Sequence, residues 1–139
     1  MIKITFYTHN NNYVKLVSKG HADYNKHGED IVCSAISAVT QSLALGVIKV
    51  LGLKANYKTD EKKGYLELRL PEINDEMILQ KTQVLFETCL ETVKDFEKGY
   101  PLNIEVEVKR LWCLLRFSCL HTTKVKVVQK TVVTVIVND

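Results

Sequence analysis

The hydrophobic period of this chain switches four times, and few folds accommodate that order. Ile2, Ile4 and Phe6 alternate with Lys3, Thr5 and Tyr7. After an Asn-rich break, a second β-prone run continues through Val17, which together reads as a hairpin with one covered face. From Asp30 the period becomes helical: Val32, Ile36, Val39, Leu43, Val47 and Val50 recur on one face, with Asp30 as N-cap and Gly52 at the far end. "YKTDEKKGYLELRLP" returns to strands around a turn at Lys63 and Gly64. A second amphipathic helix follows, with Asn74 as cap, Ile78, Thr82, Leu85, Phe86, Cys89, Val93 and Phe96 on its stripe, and Gly99 then Pro101 as its stop. "LNIEVEVK" is a last alternating strand. Strand, strand, helix, strand, strand, helix, strand predicts an α+β domain: a mostly antiparallel sheet of about four to five strands with two long helices packed on one face.

The domain is expected over residues 1–108, with a basic, Val/Thr-rich extension over 109–139 of unknown role. Charge separates the two parts. Residues 1–108 hold 13 Lys/Arg against 15 Asp/Glu, whereas residues 109–139 hold six basic residues against Asp139 alone. The basicity therefore lies in the tail, and the domain itself gives no reason to expect direct nucleic-acid binding. The opening "MIKITFYTHNNN" lacks a basic segment followed by an apolar one, so a reducing cytoplasm is the expected compartment for Cys33, Cys89, Cys113 and Cys119. No stretch holds about 18 uninterrupted apolar residues, and no membrane span is expected. Cys113, Cys119 and His121 lack the paired spacing of structural zinc sites, and nucleotide-binding fingerprints are absent, so neither metal nor cofactor is expected.

Chemistry concentrates in "GHADYNKHGEDIVCSAIS". With Asp30 as N-cap, Cys33 falls at N3, where unpaired amides and the positive end of the helix dipole favour a thiolate. It lies on the flank of the apolar stripe, in line with Ser37, Thr40 and Ala44. The competing reading is a small apolar residue beside the core, which is the reading for Cys89. His21 closes the second strand after Gly20; it is either a surface residue or a base meeting Cys33 across the loop Ala22, Asp23, Tyr24, Asn25, Lys26, His27, Gly28 and Glu29. His27 is a rival base, and His9 lies near the first turn. Asp30 is a cap stabilising the helix by about 1 kcal/mol, or a third member orienting an imidazolium. Ser37 either hydrogen-bonds within the site or within its helix.

This stretch resembles the signature of the bacterial ribosomal-processing cysteine protease family, Prp, in which Gly-His-Ala at a strand end and Gly-x-Asp-Ile-Val-Cys at a helix start bracket a mobile loop. The likeness in element order covers about residues 1–108, and the tail after Lys109 has no counterpart. The resemblance implies Cys33 as nucleophile and His21 as general base and acid, with Asp30 and Ser37 as supporting members and the loop from Ala22 to Glu29 closing over an extended peptide. Helix-start amides would stabilise the oxyanion, with that of Cys33 as one candidate donor. It further implies a cytoplasmic homodimer that removes a short N-terminal extension from large-subunit ribosomal protein number twenty-seven, cutting after a phenylalanine. The alternative, from another class, is a non-catalytic ribosome-associated module binding peptide or RNA, with salt-sensitive affinity.

Overall fold

The computed structural model describes residues 1–22 and 30–111. Five strands and two helices follow the order β1 (Ile2–His9), β2 (Asn12–Lys19), α1 (Ile31–Leu45), β3 (Asn56–Asp60), β4 (Tyr65–Arg69), α2 (Glu76–Gly99) and β5 (Ile104–Arg110). The sheet order is β3-β4-β2-β1-β5. The β1–β2, β2–β4 and β3–β4 pairs are antiparallel, whereas β5 lies parallel to β1, because the α2 crossover carries the chain back before the last strand begins. The domain is thus α+β with a mostly antiparallel sheet, as the periodicity predicts.

Alternation decides which face is buried. Ile4 pairs with Ser18 and Val106, Phe6 with Leu16, and Leu16 with Leu68, so these side chains share the helix-covered face. Against them α2 lays Phe86, which stacks on Tyr13 with ring centroids 5.8 Å apart and meets Phe6 edge-on at 6.4 Å. Gln83 clamps the same helix to the start of β2, accepting from the Tyr13 amide at 2.6 Å and donating to its carbonyl at 3.1 Å. The opposite face carries charge pairs. Glu67 accepts from Lys15 at 2.9 Å and from the Tyr65 hydroxyl at 2.8 Å, which together hold its carboxyl below the usual glutamate value.

The helices differ from the expected pattern in two details. The α-helical run ends at Leu45 and continues as a π-helical turn over Gly46–Val50. Within that wider turn Val47 stays in the core while Val50 is 81% exposed and lies off the stripe; in the α-helical part Thr40 and Ala44 are buried as well. The N-cap of α2 is Asp75 rather than Asn74: its Oδ1 accepts from the Ile78 amide at 3.0 Å. Among the described residues, Ile31–Val50 is long and apolar enough, by length and composition, to cross a bilayer. The absence of an uninterrupted apolar run did not reveal this. Val32, Ile36, Leu43 and Val47 of that helix belong to the core beneath the sheet.

Residues 23–29 and 112–139 lie outside the described region, and with them the loop from Asp23 to Glu29, including His27, and the Cys113, Cys119 and His121 cluster. The last strand runs through Arg110, and the Leu111 amide still donates to the Thr8 carbonyl at 2.7 Å.

Candidate active site

The start of α1 is built around Asp30. Its backbone is extended (φ −80°, ψ 96°), and its Oδ1 accepts from the Cys33 amide at 2.9 Å. Its carbonyl accepts from both the amide and the hydroxyl of Ser34, each at 3.0 Å. Asp30 is 8% exposed, so this cap is part of the packed structure. Cys33 sits at N3 as expected, and its sulfur belongs to a half-buried residue at the edge of the core. The Cys33 amide, one candidate oxyanion donor, is thus engaged by the Asp30 cap. The amides of Ile31 and Val32 belong to the same first turn, whose N–H groups have no acceptor within the helix itself.

His21 is brought to the same place by glycine. Gly20 ends β2 with φ +93°, and a Cβ there would stand 2.5 Å from the Met1 carbonyl oxygen, so only glycine allows the strand to turn here. The next residue is pinned by Asn103, which immediately precedes β5: Ala22, 1% exposed, accepts at its carbonyl from the Asn103 side-chain amide at 2.8 Å, while the Asn103 carbonyl accepts from the Ile2 amide at 2.7 Å. His21 is left half-buried at the lip of a cleft.

That cleft, a cavity of about 240 Å³, is lined by His21, Cys33 and Ser37 together with Thr40, Gln41 and Tyr65. The structure therefore brings the predicted thiol, imidazole and hydroxyl to one concave surface, while the Asp30 carboxylate caps the helix at the Cys33 amide. Thr40, one turn below Ser37, donates its hydroxyl to the Ile36 carbonyl at 2.9 Å and is satisfied within the helix. Two other candidates lie elsewhere. His9 pairs with Asn12 at the turn of the β1–β2 hairpin, the end opposite the one where Lys3 pairs with Lys19 and His21 follows. Cys89 is 4% exposed, and burial pushes its thiol up to about 12, which fits a core residue. Among the described residues no group of His, Cys, Asp and Glu side chains could hold a metal ion.

The third wall of the cleft is absent from the sequence reading. The β3–β4 turn contributes Asp60, Glu61 and Gly64, and the Lys62 carbonyl oxygen lies 3.3 Å from His21 Nε2. "DEKKG" signals a turn; nothing local in it says that this turn folds back over a histidine some forty residues earlier.

A helix-start thiol and a strand-end imidazole thus line one cleft on an α+β sheet. The chain belongs to the cysteine protease Prp family, whose model matches residues 1–105. It is 29% identical over 99 residues to the ribosomal processing cysteine protease Prp of Bacillus subtilis, covering 71% of this chain and 88% of that one. To the Staphylococcus aureus protein of the same name it is 27% identical over 94 residues, covering 68% and 85%. Among solved structures, the essential ribosomal processing protease Prp of S. aureus with a covalently linked product peptide superposes with a TM-score of 0.70 at 24% identity, over 78% of this chain and all (100%) of that one. A Streptococcus mutans protein superposes with a TM-score of 0.68 at 26% identity, over 80% and 96%.

Proposed function

We propose that this cysteine protease removes a short N-terminal extension from large-subunit ribosomal protein number twenty-seven, with Cys33 as nucleophile and His21 as general base and acid. The observation that carries the reading is the shared cleft: a half-buried thiol at N3 of α1 and an imidazole at the end of β2 line one cavity beside Ser37. Names of the relatives, which are ribosomal processing proteases, support the substrate class. A cytoplasmic homodimer is part of the same reading.

His21 takes the Cys33 thiol proton, and the thiolate attacks the scissile carbonyl carbon, forming a C–S bond and an oxyanion. First-turn amides of α1 face the developing charge. As the tetrahedral species collapses, the C–N bond breaks and His21 returns its proton to the leaving amine. Water, deprotonated by His21, then attacks the thioester, and the acid product and the free thiol are released. Asp30 serves this chemistry by holding the first turn of α1 in place.

The test is incubation of the protein with a peptide spanning the extension of its own ribosomal substrate, read by mass spectrometry, beside Cys33→Ala and His21→Ala. One cut by the parent and none by Cys33→Ala is the expected result. Cleavage that survives in Cys33→Ala would remove the thiol from the mechanism, and an uncut peptide that stays bound to the parent would favour a binding module.

A further inference from the structure

We infer that the main-chain carbonyl of Lys62 helps orient His21, fixing its neutral form as the Nε2–H tautomer and leaving Nδ1 as the nitrogen that exchanges protons with Cys33. The inference rests on His21 being the base, as proposed above.

A carbonyl oxygen only accepts hydrogen bonds. The ring nitrogen 3.3 Å from Lys62 O, Nε2, must therefore carry a proton for the contact to be favourable, and the neutral ring then has its lone pair on Nδ1. When Nδ1 takes a proton, Nε2 keeps its own, so the bond to Lys62 survives both halves of the catalytic cycle. A neutral acceptor in this position does what the carboxylate of a Ser-His-Asp triad does for orientation, without adding a negative charge beside the thiol.

The approach of the turn is built, not incidental. Gly64 has φ +57°, and a Cβ there would stand 2.4 Å from the Gly20 carbonyl oxygen and 3.0 Å from His21 Cε1. Gly20 in turn presses on Met1, so two glycines let the N-terminus, the end of β2 and the β3–β4 turn stack within backbone contact around the ring. The turn is held by its own bonds: the Lys63 amide donates to Asp60 Oδ1 at 3.2 Å and the Gly64 amide to the Glu61 carbonyl at 3.2 Å. Lys62 is thus a positioning residue through its backbone, and Gly64 is the residue that permits it.

The experiment is a long-range proton–nitrogen correlation of the imidazoles in uniformly 15N-labelled full-length protein at alkaline pH, repeated in Cys33→Ala and Gly64→Ala. His21 is expected as the pure Nε2–H tautomer in the parent and in Cys33→Ala, with the Nε2 proton exchanging slowly with water. In Gly64→Ala, whose Cβ drives the turn off Gly20, the expected changes are a mixed tautomer, fast exchange, a shifted acid limb of the pH–rate profile and a fall in kcat with little change in KM. That fall should lie between about tenfold and the roughly 10⁴-fold that a wrong tautomer costs a serine protease. An Nδ1–H tautomer in the parent overturns the inference outright, as does a folded Gly64→Ala with an unchanged His21 spectrum. Because the parent spectrum is read without turnover, failure of the tautomer and failure of the protease reading are separate results; if Gly64→Ala does not fold, the parent tautomer and its exchange rate still decide.

Discussion

Replacing Asp30 separates what holds α1 from what reacts on it. In Asp30→Ala the Cys33 amide loses its acceptor at 2.9 Å in a residue only 8% exposed. Loss of an N-cap costs about 1 kcal/mol, and loss of a carboxylate at the positive end of the helix dipole adds about 0.5 kcal/mol. For a domain of this size, about 1.5 kcal/mol lowers Tm by roughly 6–12 °C. Asp30→Asn keeps an oxygen acceptor in the same place and loses only the charge, so its Tm should fall by about 2–4 °C. Thermal denaturation followed by circular dichroism reads both variants, and peptide cleavage at a temperature where both are folded reads the chemistry. The cap account predicts that Asp30→Asn keeps most of the parent's activity. Equal destabilisation by Asn and Ala would refute the capping argument, and a stable but inactive Asp30→Asn would make the carboxylate a participant in turnover.

Other consequences follow from packing and protonation. With its thiol buried and pushed up to about 12 from an ordinary 9, Cys89 in the native protein should be alkylated by iodoacetamide much more slowly than an ordinary exposed thiol, as peptide mapping after brief labelling would show; matched rates would mean the α1–α2 contact opens readily. Phe86→Ala removes a fully buried ring stacked on Tyr13, and chemical denaturation should register a loss of about 3–5 kcal/mol. The Glu67 carboxyl is held low by Lys15 and then by Tyr65, so its contribution to stability is complete above the ordinary glutamate value of 4.5 and is lost as the pH falls below it. Denaturant midpoints measured from pH 6 to pH 3 should therefore drop less in Glu67→Gln than in the parent, and parallel curves would count against the assignment.

Much of this architecture is legible in the sequence because it depends on local periodicity. Ile2, Ile4 and Phe6 announce a half-buried strand, and Val32, Ile36 and Leu43 a helix over a core, wherever their partners lie. Asp30 is readable as a cap because the amide it serves is three residues away. What stayed hidden depends on choices between near-equals or on distance. Asn74 and Asp75 are both good caps, and only the phase of the first turn selects Asp75. The π-turn over Gly46–Val50 has no signature in the periodicity, and the crowding at Gly46, where a Cβ would meet Leu85 at 3.1 Å, is a contact between residues far apart in the chain. The parallel pairing of β5 with β1 has no local signature. Within the cleft, Cys33, Ser37 and His21 come from one short stretch of sequence, whereas the Lys62 carbonyl arrives from another hairpin and carries its information in the backbone.

The most direct test of the central claim is trapping the acyl-enzyme. The protein is mixed with its substrate peptide, quenched in acid within the first turnovers, digested and mapped by mass spectrometry. Cys33 should carry an added mass equal to the N-terminal product less one water, and the adduct should disappear at longer times. Cleavage accompanied by an adduct on another residue, or by none while substrate remains in excess and deacylation limits the rate, would contradict nucleophilic catalysis by Cys33.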